Sequence, residues 1–92
     1  MQGNLVPGGL VVSTAGRDKG KFYLVLKECP DNKVNIVDGE VRKVAGPKRK
    51  NRKHLKTYPA IAPEISEKLK AGQKVTDLDV RRALAQLIAN YT

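Results

Sequence analysis

The sequence predicts a mostly β chain that closes into a small barrel and ends in two short helices. Three observations carry this. Residues 8 to 46 hold short runs of β-branched and aromatic types, separated by tight turn signals. Residues 61 to 92 hold apolar positions at helical spacing. Between these regions, residues 45 to 60 are basic and are interrupted by Pro47, which no central strand accepts.

At 92 residues the chain fits one compact unit with a modest core. It divides into a barrel with a basic extension, residues 1–60, and a helical appendage, residues 61–92. "LVVSTA" (10–15) and "KFYLVLKE" (21–28) read as the first two strands. The loop between them holds Gly16 and Gly20 with Arg17, Asp18 and Lys19 inside. The glycines let the chain turn sharply and let a ligand approach the backbone. Asp18 is expected to cap this turn or to orient Arg17.

"PDNK" (30–33) reads as a turn, because Pro presets φ and Asp and Asn bond back to the backbone. "KVNIV" (33–37) alternates, with Val34 and Ile36 on one face. "DG" (38–39) is a strong hairpin signal, so "EVRKV" (40–44) is expected to return antiparallel. "HLKTY" (54–58) reads as a closing strand with Leu55 pointing inward.

Pro63 and Glu64 suit the first turn of a helix, Ile65 and Leu69 share a face, and Gly72 ends it. Thr76 opens a second helix, with Asp79 in the place a capping box gives to Glu or Gln. Val80, Leu84, Leu87, Ile88 and Tyr91 form one apolar stripe along it.

Charge narrows the partners. Lys plus Arg is 18 and Asp plus Glu is 9, for a net charge of +9. Such an excess concentrates polyanions at the surface. It is uneven: residues 1–60 hold 13 basic and 5 acidic residues, and 61–92 hold 5 and 4. Between 41 and 56 stand Arg42, Lys43, Lys48, Arg49, Lys50, Arg52, Lys53 and Lys56, with no acid. A run of like charges alone is a solvated, self-repelling segment. A second basic cluster, Arg17, Lys19 and Lys21, favours a binding role, because a small barrel can bring the two together. Arg forks and Lys charges suit phosphate oxygens, with Asn51 and His54 as further donors. The aromatic residues are Phe22, Tyr23, Tyr58 and Tyr91, and the strand at 21–28 places at least one in the core. Readers of single strands stack bases on aromatics. The composition therefore favours salt-dependent binding to the phosphates of a structured nucleic acid.

Catalysis finds little support. His54 is the single histidine, and neighbouring positive charge disfavours its protonated form. Cys29 is the single cysteine, which rules out a disulfide within the chain and points to no metal or thiol nucleophile. Asp38 and Glu40 read as turn residues, and the glycines lack the Walker pattern. No enzymatic activity, metal or cofactor is expected. "MQGNLVPGG" lacks the features of a secretory signal, and no apolar run nears the roughly 20 residues of a membrane helix. The expected setting is cytoplasmic, away from membranes.

"VVSTAGRDKGK" (11–21) resembles the KOW motif, a strand–loop–strand element of small SH3-like barrels in ribosomal proteins and transcription factors. With "VDG" (37–39) and "PKRKNRKHL" (47–55), it resembles the archaeal and eukaryotic large-subunit ribosomal protein family fourteen-e, over about residues 8 to 56. Short bacterial KOW-domain RNA-binding proteins are similar too, with helical tails like "KVTDLDVRRALAQL" (74–87). The resemblance implies an SH3-like barrel that binds large-subunit ribosomal RNA. Its loop site would hold Gly16, Arg17, Lys19 and Lys21. Its extended site would hold Arg42, Lys43, Lys48, Arg49, Lys50, Arg52, Lys53 and His54, with Lys56 at its end. The C-terminal helix would be free to meet ribosomal proteins. Residues 61–92 match the ribosomal family poorly, which leaves both a ribosomal protein and a ribosome-associated factor open. Two rivals stand beside this reading: a KOW-type transcription or translation module that docks protein through the helix at 76–91, and a binder of double-stranded DNA that uses the same charges.

Overall fold

The computed structural model describes residues 5–90. Five strands, β1 (Gly9–Ser13), β2 (Phe22–Cys29), β3 (Lys33–Val37), β4 (Lys48–Asn51) and β5 (Leu55–Ile61), precede α1 (Pro63–Lys70) and α2 (Asp77–Ala89). The strands form one antiparallel sheet in the order β4-β3-β2-β1-β5. β4 and β5 lie at opposite edges, yet only a one-turn 3-10 helix, Arg52–His54, separates them in the chain. Among the described residues no ladder pairs these edges, so the sheet is open where a closed barrel was expected. The corner's backbone groups bond sideways instead. Arg52 N donates to Asn32 O at 2.8 Å, and Thr14 N donates to His54 O at 2.8 Å.

β2 explains the layering. It is apolar in both parities, as a strand covered on both faces must be. Tyr23 and Val25 point to one face, where they cluster with Leu5, Val11, Val34 and Ile36. Leu24 points to the other, with Leu10 and Val37, and there Ile65, Val80, Ala83 and Leu84 of the helices cover it. Sheet and helices thus share one core cluster. Each fully buried Leu, Ile or Val contributes roughly 1.5–3 kcal/mol.

The strand expected at 40–44 does not form. Asp38 Oδ1 accepts from Glu40 N at 2.9 Å and Arg42 N at 2.8 Å, which curls the chain around one carboxylate. Gly39 has φ +79, and a Cβ there would lie 2.6 Å from Asp77 O. It is glycine because α2 starts against it. The fourth strand is instead part of the basic run. The turn with both central residues at positive φ is at Asp31 (62) and Asn32 (60), as type I′ geometry requires.

The helix ends follow their sequence signals. Pro63 opens α1, and Gly72 at φ +70 follows its C-cap, with Gln73 N donating to Lys68 O at 2.8 Å. Thr76 and Asp79 make both bonds of the capping box at the start of α2. Val80 and Leu84 are buried, and Leu87 and Ile88 pack beside them. Tyr91, the last member of the expected stripe, lies outside the described residues.

Candidate nucleic-acid interface

The loop between β1 and β2 is folded back on itself. Gly16 and Gly20 both have positive φ, 85 and 89. Gly20 N donates to Ser13 O at 2.8 Å, and Lys21 N to Asp18 O at 2.9 Å. This fold sends the Asp18 side chain inward and leaves Arg17, Lys19 and Lys21 exposed.

Asp18 is buried, 7 % exposed, and is the hub of the site. Its Oδ1 accepts from Lys50 Nζ at 2.7 Å and Ser13 Oγ at 2.9 Å. Its Oδ2 accepts from Tyr23 OH at 3.0 Å and Lys48 Nζ at 3.2 Å. Lys50 Nζ also donates to Ala15 O at 2.8 Å. Burial pushes the Asp18 carboxyl up, but the bonds from Lys50, Ser13, Lys48 and Tyr23 outweigh it and hold it well below the usual carboxylate range. Burial, and then the bond to Asp18, pushes the Tyr23 phenol up to about 12. No buried side-chain polar atom among the described residues lacks a partner.

Strand alternation delivers these lysines. In β4, Lys48 pairs with Ile36 and Lys50 with Val34, so both lie on the face of those apolar residues. Asp18 supplies the counter-charge that makes the buried Lys50 ammonium tolerable there, and it also pairs with the half-buried Lys48. Lys50 is a strut of the loop: its ammonium is buried and committed to Asp18 and Ala15. Lys48 keeps a quarter of its side chain exposed.

Above the hub lies a depression of about 280 Å³. Arg17 and Lys21 from the loop, Arg42 from the 38–47 segment and Lys48 from β4 ring it, with Gly16 at its rim. Loop and basic run therefore do meet. The acid in its lining is Asp18, which carries two lysine partners. The arrangement presents net positive charge over a hydrogen-bonded polar floor, chemistry that suits anionic oxygens.

The other basic residues lie apart from this depression. Lys19 is exposed on the loop, and Lys43 in the 38–47 segment. Arg52, Lys53 and His54 form the exposed 3-10 corner, tied to the loop's start by the Thr14–His54 bond. Arg52 makes an exposed ion pair with Glu28 at 3.3 Å. Arg49 is exposed opposite Asn35, and Lys56 stands 5.7 Å over the Tyr58 ring.

No protein-family model matches the chain, and no curated protein matches it. The site's chemistry rests on its own residues. Asp18, expected to cap the turn or to orient Arg17, instead holds Lys48 and Lys50 of β4 with its carboxylate. The signal was there, since Asp18 is the only acid in the first 27 residues. Among the described residues no cluster of His, Cys, Asp and Glu suits a metal ion, and no helix is long and apolar enough to cross a membrane.

Proposed function

We propose that the protein binds structured RNA through its phosphates, without catalysis, and that its target is large-subunit ribosomal RNA. One observation carries this reading: Arg17, Lys21, Arg42 and Lys48, from three separate segments, ring one depression whose acid is already neutralised. Arg17, Lys21 and Arg42 have no acid partner of their own among the described ion pairs. The exposed corner of Arg52, Lys53 and His54 extends the basic surface from the loop's start, where further phosphates of a folded RNA would lie. Tyr23 is buried, which argues against a reader built on that ring.

The finer fold belongs to the same proposal. Edge strands β4 and β5 are joined by three residues, so the sheet must roll until its edges come near. Such a rolled five-stranded sheet is the form a KOW-type SH3-like barrel takes. A cytoplasmic, ribosome-associated role follows from the target.

The test is a sucrose gradient of a lysate from the source cell, probed for the protein at low and high salt. Comigration with the large subunit is expected. Absence from ribosomal fractions at low salt would overturn the ribosomal target.

A further inference from the structure

A second site lies on the helix-covered face of the sheet. Beside α1 and the start of α2, a depression of about 900 Å³ opens to the surface. It is open, not an enclosed chamber. Leu26, Val44, Leu69 and Val75 supply its apolar lining. Lys27 stands on the strand side, and Lys70 and Lys74 on the helix side; all three are exposed. Arg49 extends the strand-side charge, because it pairs with Asn35, a lining residue, and paired residues share a face. The acid in the lining, Asp77, is occupied: its Oδ1 accepts from Val44 N at 2.8 Å and braces the wall.

We propose that this groove docks an extended acidic segment of another protein, with an apolar side chain as its anchor. The aliphatic lining rewards a Leu- or Phe-sized group by desolvation, as the anchors of protein interfaces do. Lysines on both sides complement acids placed before and after that anchor. A nucleic acid fits less well. Its phosphates would lie over aliphatic carbon, and the lining has no aromatic ring on which a base could stack. The groove shares no lining residue with the depression above Asp18, so the inference stands apart from the RNA reading.

The test is selection from a random dodecapeptide phage library against the intact protein, in the presence of excess duplex RNA to block other basic surfaces. Enriched sequences should carry an apolar residue flanked by Asp or Glu. A synthetic peptide of the enriched sequence should shift the amide resonances of Leu26, Val44, Leu69 and Val75. Its affinity should fall roughly tenfold or more in K70E/K74E, and also in A45E, which places a charge at the exposed lining residue Ala45 without touching the core. Structured RNA binding should be unchanged in both variants. The proposal is overturned by no enrichment, by acidic sequences without an apolar anchor, or by resonance shifts confined to the 14–21 loop.

Discussion

Lys50 and Asp18 stand 32 residues apart in the chain and 2.7 Å apart in the fold. Their pair fixes β4 to the loop between β1 and β2. The same contact withdraws one lysine from the surface and orders the loop that carries Arg17 and Lys21. Asp18→Asn would leave the Lys50 ammonium buried without its counter-charge, at a cost of about 3 kcal/mol or more. Lys50→Met would be destabilising for the converse reason. The double variant D18N/K50M should lose less than the sum of the singles, with a coupling on the order of 1–3 kcal/mol. Urea unfolding of the four proteins measures this; strictly additive losses would refute the pair.

Acid sensitivity follows from the same group. The folded-state pKa of Asp18 lies below its unfolded value of about 3.9. The folded protein therefore binds fewer protons in that window. This contribution to stability is complete above about pH 4 and falls as pH drops towards the folded value. Asp79 behaves alike: the Thr76 backbone N–H and the Lys68 ammonium hold its carboxyl down. In D18N the acid loss should be shallower, with the Asp79 part remaining. Urea midpoints measured from pH 5 downward should show it, and parallel curves would count against Asp18 as the sensor.

Tyr23 gives an alkaline counterpart. Its folded pKa, about 12, lies above the unfolded value of about 10. Its contribution is complete below about pH 10 and is lost as pH rises towards 12. A near-ultraviolet absorbance titration of the native protein should show one late phenolate step that Y23F lacks. A step lost in Y23F at the ordinary phenol pH of about 10 would contradict the buried bond to Asp18.

Two glycines with the same sign of φ should respond differently to alanine. Gly20, at φ +89, has no neighbouring atom within 4 Å of where a Cβ would lie, so G20A should cost only about 1 kcal/mol of backbone strain. Gly39 combines φ +79 with Asp77 O at 2.6 Å and Arg81 Cγ at 2.9 Å from the same position. G39A should cost more, roughly 2–4 kcal/mol, by adding overpacking to strain. It should also disturb the start of α2. Thermal melts decide this, and equal losses would show that the helix gives way freely.

Much of this architecture was legible in local signals. β1, β2 and β3 follow from their β-branched runs, and α1 and α2 from Pro63, Gly72 and the Thr76–Asp79 box. The fourth strand was not. Val41 and Val44 imitate strand alternation, but Asp38 captures the backbone and leaves Val41 70 % exposed. "KRKN" looks like solvated charge, because the group that makes inward lysines stable, Asp18, is far away in the chain. The same long-range dependence hid which cations of the run face solvent. The loop and the basic run do meet at Arg42 and Lys48, but on an open sheet, where Asp18 ties β4 to the loop.

In the proposed function, Arg17, Lys21 and Arg42 hold RNA phosphates. The most direct measurement is the affinity for folded large-subunit ribosomal RNA across a potassium chloride titration, for the native protein and for R17A/K21A/R42A. These three side chains lie outside the core, so melting temperatures should stay close. Weaker binding by the variant is expected, with a log–log salt slope flatter by about 2 to 3. An unchanged affinity and slope, with both proteins folded, would contradict it.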